Sequence, residues 1–83
     1  MPEKEIGQVI HFFGKAMVAV IKLSDNLRVG DQVKLSYRDA SFEQAVDSME
    51  VNHQKIESAR SGDEVALKVA GKAHENMKVY KIE

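Results

Sequence analysis

Apolar and polar residues alternate in short runs along this chain. Val33, Leu35 and Tyr37 interleave with polar residues, and so do Val65 and Leu67, followed by Val69. A period of two marks a strand buried on one face. Both runs follow the same punctuation. Val29-Gly30-Asp31-Gln32-Val33-Lys34-Leu35 is echoed by Ser61-Gly62-Asp63-Glu64-Val65-Ala66-Leu67. The glycine supplies a positive φ without steric cost, and the aspartate side chain can accept hydrogen bonds from nearby backbone amides. Gly30, Asp31, Gly62 and Asp63 are therefore read as structural turns. A third, degenerate copy is read at Asn76-Met77-Lys78-Val79-Tyr80, with Asn standing in for Gly in a left-handed turn and Met77 departing from the aspartate.

Other strands surround these. Ile6 to Phe13 is apolar and partly β-branched, and Ala16 to Leu23 is almost continuously apolar, as a strand covered on both faces would be. Gly14-Lys15 between them reads as a tight hairpin connection. Tyr80 and Ile82 alternate with charge in a closing C-terminal strand. Turn signals recur at Gly14, Ser24-Asp25-Asn26, Arg38-Asp39, Gly71 and Asn76 as well as at the two Gly-Asp pairs. Strands punctuated this often predict an all-β barrel or sandwich. From Phe42 to Ala59 two patterns compete. Phe42, Ala45, Val46, Met49, Ile56 and Ala59 follow a helical spacing, with Ser41 and Gln44 placed as a capping box. Val46, Val51 and Asn52-His53 interrupt a good helix, and the family resemblance given below implies a strand from about Phe42 to Val51, which is the expectation adopted.

Eighty-three residues fit one domain, 1–83, with its core at about 5–82. A hydrophobic content of 43% against 30% charged residues is a globular balance rather than a disordered one. The net charge of −1 lacks the basic excess usual for proteins that live on nucleic acid. There is no cysteine, which removes disulfides, thiolate metal sites and cysteine nucleophiles. The longest apolar run, Ala16 to Ile21, is too short to span a bilayer, and a cytoplasmic protein without membrane association is expected.

Catalytic motifs are missing. There is no phosphate-binding loop, hence no nucleoside triphosphate site, and no Gly-x-Ser-x-Gly elbow. His11, His53 and His74 lack metal-site spacing, so no metal, cofactor or catalytic residue is assigned. Glu43, Asp47, Glu50 and Glu57 are read as a solvated face. Phe12 and Phe13, flanked by His11 and Lys15, form a candidate stacking platform, with core packing as the competing reading.

Ile6-Gly7-Gln8-Val9, Leu27 to Val33 and Ile56 to Leu67 together resemble the β-barrel second domain of elongation factor Tu and related translational GTPases. The same residues resemble small standalone elongation-factor-like proteins and the C-terminal barrel of some collagenase-like peptidases. The resemblance implies a six-stranded closed barrel with Greek-key features. It also implies a non-enzymatic module touching transfer RNA, the ribosome or a translation-associated protein. A family glutamate at the terminal adenosine of transfer RNA falls on Glu50, and His53 stands where the family has an arginine. Glu50, His53, Phe12, Phe13 and Lys15 are thus the expected contacts. The peptidase-attached barrels imply a second reading, an accessory barrel acting beside a separately encoded enzyme.

Overall fold

The computed structural model describes residues 3–82. Ten strands follow one another: β1 (Glu3–Phe13), β2 (Val18–Leu23), β3 (Leu27–Arg28), β4 (Gln32–Tyr37), β5 (Ala40–Ala45), β6 (Met49–Val51), β7 (Gln54–Ile56), β8 (Ser58–Ala59), β9 (Glu64–Lys68) and β10 (Lys78–Ile82). Eight of them form one sheet in the order β5-β4-β10-β1-β2-β9-β6-β7, and β3 pairs with β8 separately. Every pairing is antiparallel. The inward residues of this sheet, among them Ile6, Val9, Ile21, Val33, Leu35, Val65, Leu67 and Val79, are fully buried in one core, which Leu27 of β3 joins. The fold is all-β. Its backbone pairing gives eight strands with β5 and β7 at the ends, where the resemblance implies six strands in a closed ring.

The two Gly-Asp turns share one geometry. In Arg28-Val29-Gly30-Asp31 the Asp31 N–H donates to the Arg28 carbonyl at 3.1 Å, and Gly30 has φ 98°, as a type II turn requires. The Asp31 carboxylate accepts the Arg28 N–H at 2.9 Å. In Arg60-Ser61-Gly62-Asp63 the matching bonds are 3.0 Å and 3.0 Å, with Gly62 at φ 94°.

Each turn also grips a residue on a neighbouring segment. Gly30 N–H donates to the Val46 carbonyl and Val46 N–H to the Asp31 carbonyl, at 2.9 and 2.8 Å. Gly62, Asp63 and Leu23 repeat the pattern at 2.8 and 2.9 Å. Two residues of one strand opposing one of the other, with a left-handed glycine first, is a G1 bulge.

The degenerate third copy closes the same clasp. Asn76 N–H donates to the Val9 carbonyl and Val9 N–H to the Met77 carbonyl, both at 2.8 Å, with Asn76 at φ 78°. Met77, where the other copies have aspartate, is buried in the core. This turn gives up the carboxylate tie and gains apolar packing. The gripped residues Val46, Leu23 and Val9 are themselves buried.

The sheet is therefore built from paired units. Each turn launches a strand that pairs with the gripped one: β4 with β5, β9 with β2, β10 with β1. The β6–β7 hairpin is the fourth pair. Pairing of Leu27 with Ala59 and Arg28 with Ser58 joins the segments that feed the first two turns.

Several details differ from the sequence reading. Phe42 to Ala59 holds no helix. The strand expected over Phe42 to Val51 is broken: β5 ends at Ala45, Val46 is gripped by the first turn, and β6 begins at Met49 to pair with β7 and β9 instead. Asn52 and His53 have φ of 53° and 65° between the paired Val51 and Gln54, the two-residue I′ hairpin. β2 begins at Val18, after a four-residue loop over 14–17, and alternates in burial rather than being covered on both faces. The outward residues Val18 and Val20 are half-buried because no second layer lies over them.

β1 carries two bulges, at Ile6 against β10 and at Ile10 against β2. Gly7 is packed tightly against β2. A Cβ there would sit 2.7 Å from the Lys22 carbonyl oxygen and 2.9 Å from Ile21 Cγ2. Gly30 and Gly62 have open space instead, so only the backbone penalty applies. Gly30→Ala and Gly62→Ala are each expected to cost about 1–2 kcal/mol, and Gly7→Ala about 1–3 kcal/mol by overpacking, measured by denaturant unfolding. The Lys4 ammonium and the Asn26 amide hold the Asp25 carboxyl below the usual carboxylate range. The stability this contributes is present above that range and lost as pH falls through the depressed value. In Lys4→Met the NMR titration midpoint of Asp25 is expected to rise.

Candidate functional site

The third clasp decides where the chemistry-bearing side chains gather. By fixing Asn76 and Met77 against Val9, it holds His74 and Glu75 beside the end of β1. Glu75 Oε2 lies 3.6 Å from His11 Nδ1. The His74 ring meets Tyr37 edge-on at 4.7 Å between centroids, and the Arg38 guanidinium lies over the other aromatic ring of that contact, 5.2 Å from the Tyr37 centroid. Phe12, His74 and Glu75 line an open hollow at this end. On the outer side His11 and Phe13 meet edge-on at 4.3 Å.

Strand alternation separates the two phenylalanines. Phe12 lies in the inward row Phe12-Ala19-Leu67-Met49-Ile56 and packs against the core, while Phe13 lies outward and is 51% exposed. Adjacent strand residues point to opposite faces, so the two rings do not form one platform. Phe13 is partnered instead by His11, two residues away. Lys15 is exposed in the β1–β2 loop.

Glu50 and His53 lie elsewhere. Glu50 belongs to the outward row His11-Val20-Ala66-Glu50-Lys55. Three strand spacings put it about 14 Å from His11. His53 is at the tip of the β6–β7 hairpin. The five expected contacts are thus not gathered into one cleft. In the sequence Tyr37 reads as a strand residue, Arg38 as part of a turn and His74 only as a histidine without metal-site spacing, and Glu75 is not singled out. The signal for His74 and Glu75 was present in the degenerate turn, whose first residues they are. Among the described residues no group of three or more His, Asp or Glu converges as a metal site, and no helix is long and apolar enough to cross a membrane.

The chain is similar to a protease. An uncharacterized protease of Methanocaldococcus jannaschii is 35% identical over 77 residues, which make up 92% of this chain and 19% of that protein. The chain thus spans about a fifth of the length of this curated relative. Among solved structures, the C-terminal domain of a Geobacillus thermoleovorans protein described as a U32 peptidase superposes with a TM-score of 0.89. It is 18% identical and covers 96% of this chain and 93% of that one. The selenomethionine form of the same domain gives 0.85 at 18% identity, over 92% and 96% of the two chains. At that identity the structures show a shared fold. No protein-family model matches.

These findings overturn the resemblance to elongation factor Tu and the translational role drawn from it; the relatives are a protease and peptidase domains. The transfer RNA and ribosome contacts rested on that resemblance and have no support in the comparisons. The physical reason lies in the residues that carried it. A left-handed glycine followed by aspartate favours this turn and bulge, so the motif reports the local fold and does not discriminate among proteins that use it.

Asn76→Val is expected to lose about 1–2 kcal/mol, since a β-branched residue disfavours the left-handed region. It should also displace His74 from Tyr37, read as lost ring-current shifts of the His74 imidazole protons by NMR. Asn76→Gly should keep those shifts.

Proposed function

We propose that this chain is a non-catalytic accessory module of a U32-type peptidase, acting beside a catalytic body carried on the same or a separate polypeptide. The observation that carries this reading is the extent of the match: 92% of this chain aligns with only 19% of a protease. A segment of that size is a domain's worth of a much longer enzyme. The likeness in fold to a U32 peptidase's C-terminal domain supports the same position in the architecture. The ring-lined end around His74 is the surface this reading assigns to contact with polypeptide. A cytoplasmic location belongs to the reading, and the cysteine-free composition suits it.

Closure of the sheet into a barrel is also proposed. Its support is the Gln44 side chain on edge strand β5, whose amide donates to the Lys68 carbonyl at 2.8 Å and accepts the Ala70 N–H at 2.7 Å. It docks on the continuation of β9 as a peptide group would, past the point where β6 stops pairing.

The test is a transplant. The matched segment of the M. jannaschii protease is replaced by this chain, and proteolysis of a denatured protein substrate is compared among the native enzyme, the fusion, the enzyme lacking the segment, and this chain alone. The reading expects activity in the fusion, reduced activity without the segment, and none from this chain alone. Hydrolysis by the isolated chain, or full activity without the segment, would overturn it.

A further inference from the structure

We propose that the outer face of β1 and β2 is the docking surface for the body of such a peptidase. This rests on the accessory-module reading and names the surface through which the module would attach.

The sequence of β1 does not need an exposed isoleucine to fill the core. Without the bulge, strict alternation after the buried Val9 would turn Ile10 outward and His11 inward. The bulge between Val9 and His11 instead leaves Ile10 and His11 both exposed and returns Phe12 to the inner row. Bulges re-aim side chains at sheet edges and binding sites. Here the result is a cluster on one face. Ile10 is 42% and Phe13 51% exposed. Outward Val18 and Val20 on β2 and Ala66 on β9 are half-buried beside them.

Two lysines beside this cluster are engaged by carboxylates: Lys22 lies 3.7 Å from Glu64 and Lys78 lies 3.4 Å from Glu5. Phe13, braced edge-on by His11, has the form of a central aromatic anchor.

The size of the patch argues for its occupant. Its exposed apolar area is on the order of 300 Å², well below the roughly 800 Å² per partner of a standard interface. That is too little to hold a second copy of this chain by itself. It suffices where a covalent tether supplies the effective concentration. The relative has that arrangement, with the matched segment forming 19% of a single protease chain.

The experiment uses the fusion of this chain to the M. jannaschii protease body, carrying the native face, Ile10→Ser with Phe13→Ser, or Val29→Ser as an exposed apolar control away from the patch. Tryptic cleavage at the junction and the radius of gyration by small-angle scattering are read. The double variant is expected to raise the cleavage rate about tenfold or more and to increase the radius of gyration, while Val29→Ser changes neither. Melting of the isolated variant chains checks that each remains folded; Ile10→Thr with Phe13→Thr substitutes if the serine pair does not. A native fusion cleaved as fast as the double variant would overturn the proposal. So would an isolated chain that sediments as a dimer through Phe13. If proteolysis by the fusion persists while its junction is open, the accessory reading stands and only the surface falls.

Discussion

A left-handed residue followed by one whose carbonyl faces the next strand closes the same clasp three times in this protein. Gly30-Asp31 grips Val46, Gly62-Asp63 grips Leu23, and Asn76-Met77 grips Val9. Each clasp fixes two things together: where a new strand begins and which neighbour it pairs with. Because side chains alternate with a period of two, a shift of one residue at any clasp would turn that strand's buried residues outward. The gripped residues lie in the core, so hydrogen bonding and apolar burial enforce the same register. With eleven residues β1 is the longest strand, and its pairing with β10 is led in by the clasp at Val9.

The three copies are not equal, and their differences mark different duties. The first two keep an aspartate that ties the turn back to Arg28 or Arg60. Their feeding strands pair with each other. The third has Met77 in that position, buried in the core, and its turn carries His74 and Glu75 to the end of β1. The same backbone device thus serves twice as frame and once as the mount for a ring cluster. The fourth pair, β6–β7, has no such turn and closes through an I′ hairpin at Asn52-His53.

The distinction between frame and site also explains why a turn motif misled the family assignment. Gly-Asp before an alternating strand suits the backbone geometry of this clasp, which Asn76-Met77 also closes, so it reports a local turn. The turn motif leaves the outer face and the His74 end unspecified. A relative that is 35% identical across nearly the whole chain covers those positions as well, and it is a protease.

Much of the architecture was legible in adjacent residues. The all-β class, the positive φ at Gly30 and Gly62 and the left-handed Asn76 follow from rules that act over a few bonds. So does the unsuitability of Asn52-His53 for a helix. What lay beyond the sequence depends on residues far apart in it. Nothing near Val46, Leu23 or Val9 announces that a distant turn will grip it, and the break after Ala45 follows from a change of pairing partner, from β4 for β5 to β7 and β9 for β6. Whether Phe12 and Phe13 share a face is settled by the strand and its bulge at Ile10, which exists only in register against β2. The contact of His74 with Tyr37 likewise spans two turns that only the sheet brings together. Local conformational preference is written in neighbouring residues. Register and convergence arise from pairing across the chain, and these the tertiary structure alone decided.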